Sequence, residues 1–332
     1  MLIHQLLKYN SVNSINPIIN QKNDVMKQQP KQLQVMCILL SAALIIASCK
    51  KEDKQVESET DSSSLTRNEK SVVNAISAIS SSINLNWENR ANGSTYTSSQ
   101  ASSDFGNVSG WQESRAYITN GKDGTNGLRI TLLPNQLSGA GGMVTNVDIS
   151  DGTAYELDFD VKFHSQFNFD RGGKIGFGFS VGDGNTGGDP GWDGNGGSLR
   201  LMWYSPNASG SSQPNPNRVF FQPYVYHKDQ PTEFGDTYTQ RYPSSGALQK
   251  GVWYHVHMYI KSNTGSSTNG RAQILINNVA ILDQNIRWTT NDSKRLINNL
   301  TFHTFRGGSQ DDWKTTTTDY IYYDNLVVNK IN

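Results

Sequence analysis

Apolar and polar residues alternate strictly through the segment from residue 155 to residue 163. Its apolar members are Tyr155, Leu157, Phe159, Val161 and Phe163. Because successive side chains of a strand point to opposite faces, a two-residue period predicts a strand with one buried face and one exposed face. The segment therefore indicates a β-sheet whose one face packs against a core.

A two-residue period recurs in residues 254–260 and 273–276, and the pair Asn277-Asn278 marks a turn after the second of these segments. The segment from Tyr320 to Tyr323 leads to a last strand that ends at Val328. The chain carries 30 glycines in 332 residues and has no long helical pattern. Short strands separated by Gly- and Asn-rich turns are typical of sandwiches and jelly rolls. We therefore predict an all-β fold, a β-jelly-roll sandwich of two antiparallel sheets with a concave substrate groove.

An apolar run at residues 35–47 has the length of a signal-peptide core and is too short to span a bilayer comfortably. The segment Ile46-Ala47-Ser48-Cys49, at the end of this run, resembles a bacterial lipobox. We predict that residues 1–48 are a signal peptide of the lipoprotein type, with Met26 as an alternative start, and that Cys49 is lipidated. An ordinary signal peptide or a buried helix is the alternative interpretation.

Residues 49–83 are rich in Ser, Lys, Glu and Asp, which predicts a flexible tether with a short helix at residues 71–79. Residues 84–332 form the predicted catalytic domain. Both cysteines, Cys37 and Cys49, precede it, so its stability depends on its core rather than on disulfides. These features predict a monomer anchored by its N-terminal lipid to the outer membrane of a Gram-negative bacterium, at the cell surface or the periplasmic face.

Basic and acidic residues balance, at 29 each. A nucleic-acid-binding chain usually carries a basic excess, so we expect no nucleic-acid partner. A polyanionic ligand would need a local basic groove, because the net charge of the molecule would not attract it.

Three segments in the middle of the chain carry the candidate site residues. Lys174 follows a double glycine, Ser198 and Arg200 are two apart in one predicted strand, and Tyr224 and Tyr226 are two apart in another. Residues two apart face the same side of a strand. If these strands share a sheet, their polar side chains line one face and form a groove for a polyanion.

These residue types suit β-elimination on a uronic acid. An arginine can neutralise the carboxylate beside the weakly acidic C5 proton with two donors. A lysine or tyrosine with a lowered pKa can remove that proton, and a tyrosine can protonate the leaving O4 oxygen.

The order of these segments resembles polysaccharide lyase family 14, which contains alginate lyases and glucuronan-cleaving relatives. The later segment Phe302–Trp313, with Thr304-Phe305 before a glycine pair, also fits the family's pattern. The resemblance covers about residues 84–330. It implies a lyase that cleaves a uronic-acid polymer, alginate in the first place or glucuronan, by β-elimination to unsaturated oligosaccharides.

By position, the resemblance assigns catalysis to Lys174, Arg200, Tyr224 and Tyr226. The candidate substrate-binding residues lie in the same matching segments, and they are Ser198, Arg200, His227 and Arg306.

Two other functions fit parts of the sequence. A non-catalytic carbohydrate-binding lipoprotein would stack sugars on Trp192, Trp203 and Trp313. A jelly-roll glycoside hydrolase would use carboxylates such as Glu156 and Asp158, with Asp160 on the same strand face.

We predict no metal site and no cofactor, with calcium as the alternative. Calcium would bind the aspartates of the Gly-rich loop 182–197, which are Asp183, Asp189 and Asp193. His255 and His257 have a spacing seen in zinc sites, but the sequence offers no third ligand.

Overall fold

The computed structural model describes residues 82–332. The predicted signal peptide, Cys49, the helix at residues 71–79 and almost all of the tether lie outside the described residues. The first strand begins at Ser82, two residues before the predicted start of the domain.

The described residues form fifteen strands in two antiparallel sheets, which confirms the predicted sandwich. The strands are β1 (Ser82–Leu85), β2 (Asn107–Ser109), β3 (Ala116–Asn120), β4 (Asn126–Leu132), β5 (Met143–Gly152), β6 (Ala154–Phe163), β7 (Gly172–Lys174), β8 (Phe177–Gly182), β9 (Gly196–Tyr204), β10 (Phe220–Tyr226), β11 (Trp253–Lys261), β12 (Gly270–Ile276), β13 (Val279–Ile286), β14 (Ile297–Arg306) and β15 (Asp319–Lys330). The helices are α1 (Ser98–Phe105) and α2 (Ser138–Gly141), and short 3₁₀ turns occur at Glu113–Arg115, Lys122–Gly124, Gly191–Asp193, Asp292–Lys294 and Asp311–Trp313.

The sheet that contains β6 is called the back sheet, and the sheet that contains β9 is called the front sheet. The back sheet has the strand order β13-β12-β11-β6-β15-β4-β3, with β1 on β15. The front sheet has the order β10-β9-β7-β14-β5-β2, and β8 pairs with both β14 and β9. The short strands β7 and β8 thus lie one after the other in the same position of the sheet, between β9 and β14.

The alternating segments of the sequence form the centre of the back sheet. In β6 the five apolar residues of the alternation are all buried, and the intervening Glu156, Asp158 and Lys162 are partly exposed. β11 pairs with β6 and repeats this pattern. Asn277 and Asn278 join β12 to β13 with φ of 48° and 64°, the left-handed conformation that asparagine tolerates in tight hairpin turns.

Aromatic side chains from both sheets meet in the core. Phe159 of the back sheet packs against Phe177 of the front sheet with ring centroids 5.4 Å apart. Phe163 stacks on Phe221 at 5.8 Å and meets Trp203 edge-on at 5.7 Å. Each fully buried aromatic ring contributes roughly 2–3 kcal/mol by leaving water. Because the apolar faces of both sheets are used in this core, the polar faces of the front and back sheets point outward in opposite directions.

Within residues 82–332, none of the helices has the length and apolar character needed to cross a bilayer.

Candidate active site

Five neighbouring side chains come together on the outward face of the front sheet. Lys174 ends β7, Arg200 and Met202 lie on β9, Tyr224 lies on β10 and His303 lies on β14. In the strand register Tyr224 is opposite Arg200, and Lys174 is opposite Met202. The strands of Ser198-x-Arg200 and Tyr224-x-Tyr226 therefore pair in one sheet, which is the condition on which the predicted groove depended.

The double glycine before Lys174 lets three strands approach closely. A β-carbon on Gly173 would lie 2.1 Å from the carbonyl oxygen of Phe305 and 2.3 Å from the ring of Trp203. No side chain fits there, so glycine is required for β7 to fit between β9 and β14. This close packing fixes the backbone that projects Lys174 into the groove.

A cavity of about 600 Å³ opens above these side chains. Its wall includes Lys174, Arg200, Met202, Tyr224 and His303, together with Ser138, Val144, Thr186, Gly187, Tyr204, Gln222, Phe234, Phe305, Gly307, Gly308, Ser309, Gln310 and Trp313. None of these lining residues is acidic. Two cations in a wall without carboxylates make the cavity a site for an anion.

Lys174 and Arg200 are both nearly buried, at 7% and 4% exposure. The Lys174 ammonium lies 3.7 Å from the ring centroid of Tyr224, and the Arg200 guanidinium carbon lies 5.4 Å and 5.3 Å from the centroids of Tyr224 and Tyr226. Within residues 82–332, neither cation has an ion-pair partner, and Nε and Nη2 of Arg200 lack hydrogen-bond acceptors. Ring faces compensate part of the lost hydration, but the unused donors still favour an incoming carboxylate.

This environment moves the pKa values of the site residues apart. Burial, and then the positive charge of Arg200, hold the pKa of Lys174 well below its usual value. Burial raises the pKa of the Tyr224 hydroxyl, and this effect outweighs the opposing influence of Arg200. Two groups with diverging pKa values are suited to act as base and acid at the same pH.

His303 is a site residue that the sequence analysis did not single out. Burial, and then the charges of Arg200 and Lys174, lower its pKa to about 3, so its ring is neutral. Both ring nitrogens are buried without a hydrogen-bond partner in the described part of the chain. The period-2 argument applied to Ser198 and Arg200 would have found it, since His303 lies two residues before Phe305, another member of the cavity wall.

Ser198 and Tyr226 share the outward face but lie outside the wall of this cavity. The connection from β8 to β9 covers them: the Ser198 hydroxyl donates to the Asn185 carbonyl oxygen at 2.8 Å, and the Tyr226 hydroxyl accepts from the Gly188 amide at 3.0 Å. Both side chains are fully buried. They hold this loop, whose Thr186 and Gly187 form the rim of the cavity.

His227 and Arg306, two predicted substrate-binding residues, are likewise used inside the protein. The Nε2 atom of His227 lies 3.1 Å from the hydroxyl of Tyr238 and 3.4 Å from the carboxylate of Asp236. Arg306 is 2% exposed and forms an ion pair with Asp319 at 2.5 Å. Neither side chain belongs to the cavity wall, because each is needed to satisfy buried polar groups elsewhere.

The groove continues into a second cavity of about 470 Å³, which shares Val144, Thr186 and His303 with the first. Its wall carries Asn and Thr side chains and two carboxylates, Asp148 and Asp183. Its polar character differs from the cationic centre and suits uncharged groups that form hydrogen bonds.

The carboxylates and histidines of the alternative functions lie apart from the cationic centre of the groove. Asp158 is held by His257 at 2.9 Å and by His255 at 3.2 Å on the outward face of the back sheet, away from the cavity. Asp183 pairs with Lys294 at 2.5 Å. Among the described residues, no group of three or more His, Cys, Asp or Glu side chains is arranged to hold a metal ion.

The tryptophans of the binding-protein alternative are also separated. Trp203 is buried in the core, where its indole donates to the Phe169 carbonyl oxygen at 3.0 Å. Trp192 is 47% exposed. Trp313 belongs to the cavity wall.

The comparisons with known proteins give the class of this antiparallel β-sandwich with a cationic groove on one sheet, which is that of the polysaccharide lyases. The family model of polysaccharide lyase 14 matches residues 134–326. The match covers more than half of the chain, so the chain belongs to polysaccharide lyase family 14, and the predicted family and lyase class are confirmed.

Solved structures agree with this family. The alginate lyase Aly36B is 63% identical, with a TM-score of 0.71, and the match covers 77% of this chain and 99% of that one. A variant of Aly36B with one lysine and one tyrosine replaced by alanine, solved in complex with alginate tetrasaccharide, is 62% identical over the same shares. The marine family 14 alginate lyase from Aplysia kurodai shares the fold at 21% identity and a TM-score of 0.55, over 75% of this chain and 98% of that one. No curated protein matches.

Proposed function

We propose that this lyase cleaves alginate by β-elimination in the cavity on the front sheet. The observation that carries the proposal is a pair of buried basic side chains, Lys174 and Arg200, in a cavity wall without carboxylates. The carboxylate of a uronic acid supplies the negative charge that the cavity wall lacks. The proton on C5, the carbon next to this carboxylate, is then the acidic proton of the substrate.

Arg200 and His303 bind and polarise the carboxylate. Arg200 has unused donors at Nε and Nη2, and neutral His303 has one ring N–H to donate. Both groups are fixed before the substrate arrives, so they stabilise the negative charge that builds up when the C5 proton leaves. A positively charged histidine is not required, because Arg200 provides the charge.

Lys174 is the base. Its lowered pKa gives it a neutral amine at a pH where an ordinary lysine is charged. The amine takes the C5 proton, the C5–H electron pair becomes the C4–C5 double bond, and the C4–O4 bond breaks. Tyr224 has a raised pKa and keeps its proton, which it donates to the departing O4.

The solved relative supports this assignment. The substituted Aly36B variants hold alginate oligosaccharides, and each lacks a lysine. In the trisaccharide complex the second replaced residue is a methionine, and its distance along the chain from that lysine equals the distance from Lys174 to Met202. We infer that Lys174 and Met202 occupy the corresponding places here.

The experiment incubates the protein with polymannuronate, polyguluronate, alginate and glucuronan, and follows the ultraviolet absorbance of the unsaturated uronate. We expect a rise on the alginate-type polymers and none with Lys174→Ala. A glycoside hydrolase would produce saturated ends, and a binding protein would retain the polymer without a product. Either result with a folded protein would overturn the proposal.

We propose that the positive charge of Arg200 replaces a metal ion in neutralising the carboxylate, so no cofactor takes part. The rate on alginate oligosaccharides should be unchanged after treatment with a chelator. A loss that is restored by adding calcium would contradict this proposal.

We also propose that the protein is a monomer held to the outer membrane of a Gram-negative bacterium by a lipid on Cys49. The apolar run at 35–47 and the Ile46-Ala47-Ser48-Cys49 segment support it. Metabolic labelling with a fatty acid should mark the native chain and leave Cys49→Ser unlabelled. Equal labelling of both chains would overturn the lipid assignment.

A further inference from the structure

A row of aromatic and basic side chains crosses the outward face of the back sheet, on the opposite side of the molecule from the groove. In the strand register Tyr117 of β3 faces Arg129 of β4, which faces Tyr322 of β15. Tyr322 faces Lys162 of β6, which faces Trp253 of β11. The row thus spans five adjacent strands and is about 19 Å long, since neighbouring strands lie about 4.8 Å apart.

Aromatic and basic groups alternate along the whole row. The Arg129 guanidinium carbon lies 4.8 Å from the ring centroid of Tyr117 and 4.7 Å from that of Tyr320. His164 bridges Tyr320 and Tyr322, with ring centroids 5.7 Å and 6.1 Å away. The Lys162 ammonium lies 4.8 Å from the Tyr322 ring centroid and 4.5 Å from that of Trp253. The aromatic–basic row consists of Tyr117, Arg129, Tyr320, His164, Tyr322, Lys162 and Trp253.

Among the described residues, no carboxylate pairs with the two cations of the row. Some other basic residues of the surface do pair with carboxylates, as Arg271 does with Asp283 and Arg287 with Asp229. Arg129 and Lys162 form no ion pair within residues 82–332, although both are partly exposed. Their only close neighbours in the row are rings, which hold the positive groups in place without neutralising them.

The acidic residues of the same face do not neutralise Arg129 or Lys162. Asp158 and Asp160 lie further along β6, on the same side of the sheet as Lys162. Asp160 is already engaged by Lys122 at 3.2 Å and by Asn325 at 2.9 Å, and Asp158 is held between two histidines. These carboxylates limit the positive surface to the row itself.

We propose that the aromatic–basic row is a second, non-catalytic binding site for a uronic-acid polymer. Cations fixed in a line by rings present donors to successive carboxylates at a small entropic cost, and the tyrosine hydroxyls offer hydrogen bonds to sugar hydroxyls. The identity of the polymer rests on the proposed function, because the row itself specifies an extended polyanion. A polymer held on the back sheet raises the local concentration of chain ends and loops at the groove.

The test measures affinity for alginate in native gels that contain the polymer, with a saturating short oligosaccharide to fill the groove. Every protein in the gels carries Lys174→Ala so that neither polymer nor oligosaccharide is cleaved, and turnover is measured separately with the same row changes in the active protein. The row is changed in Lys162→Gln with Arg129→Gln, which keep most of the side-chain length, and separately in Trp253→Ala. Tyr259→Ala and Lys261→Gln are matched controls, since both lie on the same face of β11 outside the row.

We expect the double variant Lys162→Gln with Arg129→Gln to lose affinity for alginate about fivefold or more, because two surface charge contacts of ordinary strength are removed. Trp253→Ala should also lose affinity, because it removes the ring that holds the Lys162 ammonium in place. The controls should stay within about twofold of the native protein. Gels with a neutral glucan should retain none of the proteins. Turnover of a short oligosaccharide should be the same in all variants, because the groove is on the other sheet.

The proposal is overturned if the row variants retain full affinity, if the controls lose as much, or if short-oligosaccharide turnover falls in parallel. It is also overturned if the row binds vesicles of anionic phospholipid and not alginate. Failure of the proposed function is a separate result: a protein that cleaves no uronate polymer but loses alginate affinity in the row variants would leave the row as a binding site.

Discussion

At the scale of single residues, Tyr224 and Tyr226 show that two residues with the same position in a sequence pattern can differ in their access to the cavity. They are two apart on β10 and share one face, with ring centroids 5.8 Å apart. Tyr224 faces the cavity beside Lys174, whereas Tyr226 lies under the loop between β8 and β9. A two-residue period predicts the shared face, but it cannot predict which of the two residues a distant loop covers.

Tyr224→Phe and Tyr226→Phe therefore form a matched pair of variants. We expect kcat on alginate to fall about 100-fold or more in Tyr224→Phe, since the proton donor to O4 is lost. Tyr226→Phe removes the hydrogen bond to the Gly188 amide and the hydrogen bond between the Tyr226 and Tyr224 side chains, but it leaves the proton donor in place and should change kcat by less than about threefold. The reverse order in steady-state assays would move the acid to Tyr226.

The pH dependence follows from Lys174. Only its neutral amine accepts the C5 proton, so kcat/KM should fall as the pH drops through the lowered pKa of this residue. The positive charge of Arg200 is the second cause of that lowered pKa, so Arg200→Gln should raise it and move the acid limb to higher pH. An acid limb at the same pH in Arg200→Gln as in the native protein would exclude Lys174 as the titrating base.

At the scale of elements, β7 is the part of the fold that the site depends on most. It has three residues, and its glycines allow it to lie between β9 and β14. The alternation in residues 155–163 and 254–260 was enough to predict β6 and β11. It could not predict β7, because a strand of two glycines and a lysine has no apolar period and is fixed by its neighbours.

Gly173→Ala should damage both stability and activity. The added methyl group meets the Phe305 carbonyl and the Trp203 ring, and overpacking of this kind costs about 1–3 kcal/mol. We expect a lower unfolding temperature and a reduced kcat, because Lys174 moves with its strand. In Gly139→Ala the new methyl lies 3.5 Å from a methyl of Val144, so this control should be close to native. Equal unfolding temperatures for Gly173→Ala and Gly139→Ala in calorimetry would contradict the argument.

At the scale of the whole molecule, the pairing of strands that lie far apart in the chain could not be predicted from the sequence. The last strand, β15, pairs with β1, β4 and β6, which lie far apart in the chain. Local periodicity predicts that a strand exists and which face is buried, while the order of strands depends on the shared core. The short strands and the Gly- and Asn-rich turns predicted the jelly roll, and the family resemblance assigned a catalytic role to Lys174, but neither revealed that Arg306 is internal.

Arg306 joins distant parts of the fold rather than binding substrate. Its guanidinium pairs with Asp319 at the start of β15 and donates to the Asn168 carbonyl oxygen at 2.5 Å. Arg306→Ala leaves a buried carboxylate without its partner, which costs about 3–5 kcal/mol of the free energy of unfolding. We expect denaturant unfolding to reveal this loss while KM of the folded fraction stays native. A large rise in KM with unchanged stability would return Arg306 to the substrate site.

The most direct test of the central claim is the mass of the products formed in water enriched in heavy oxygen. β-Elimination breaks the C4–O4 bond without adding water, so the account predicts unsaturated oligosaccharides free of heavy oxygen from the native protein and no products from Lys174→Ala. Saturated products that carry heavy oxygen would show hydrolysis. That result would contradict the roles assigned here to Lys174, Arg200, Tyr224 and His303.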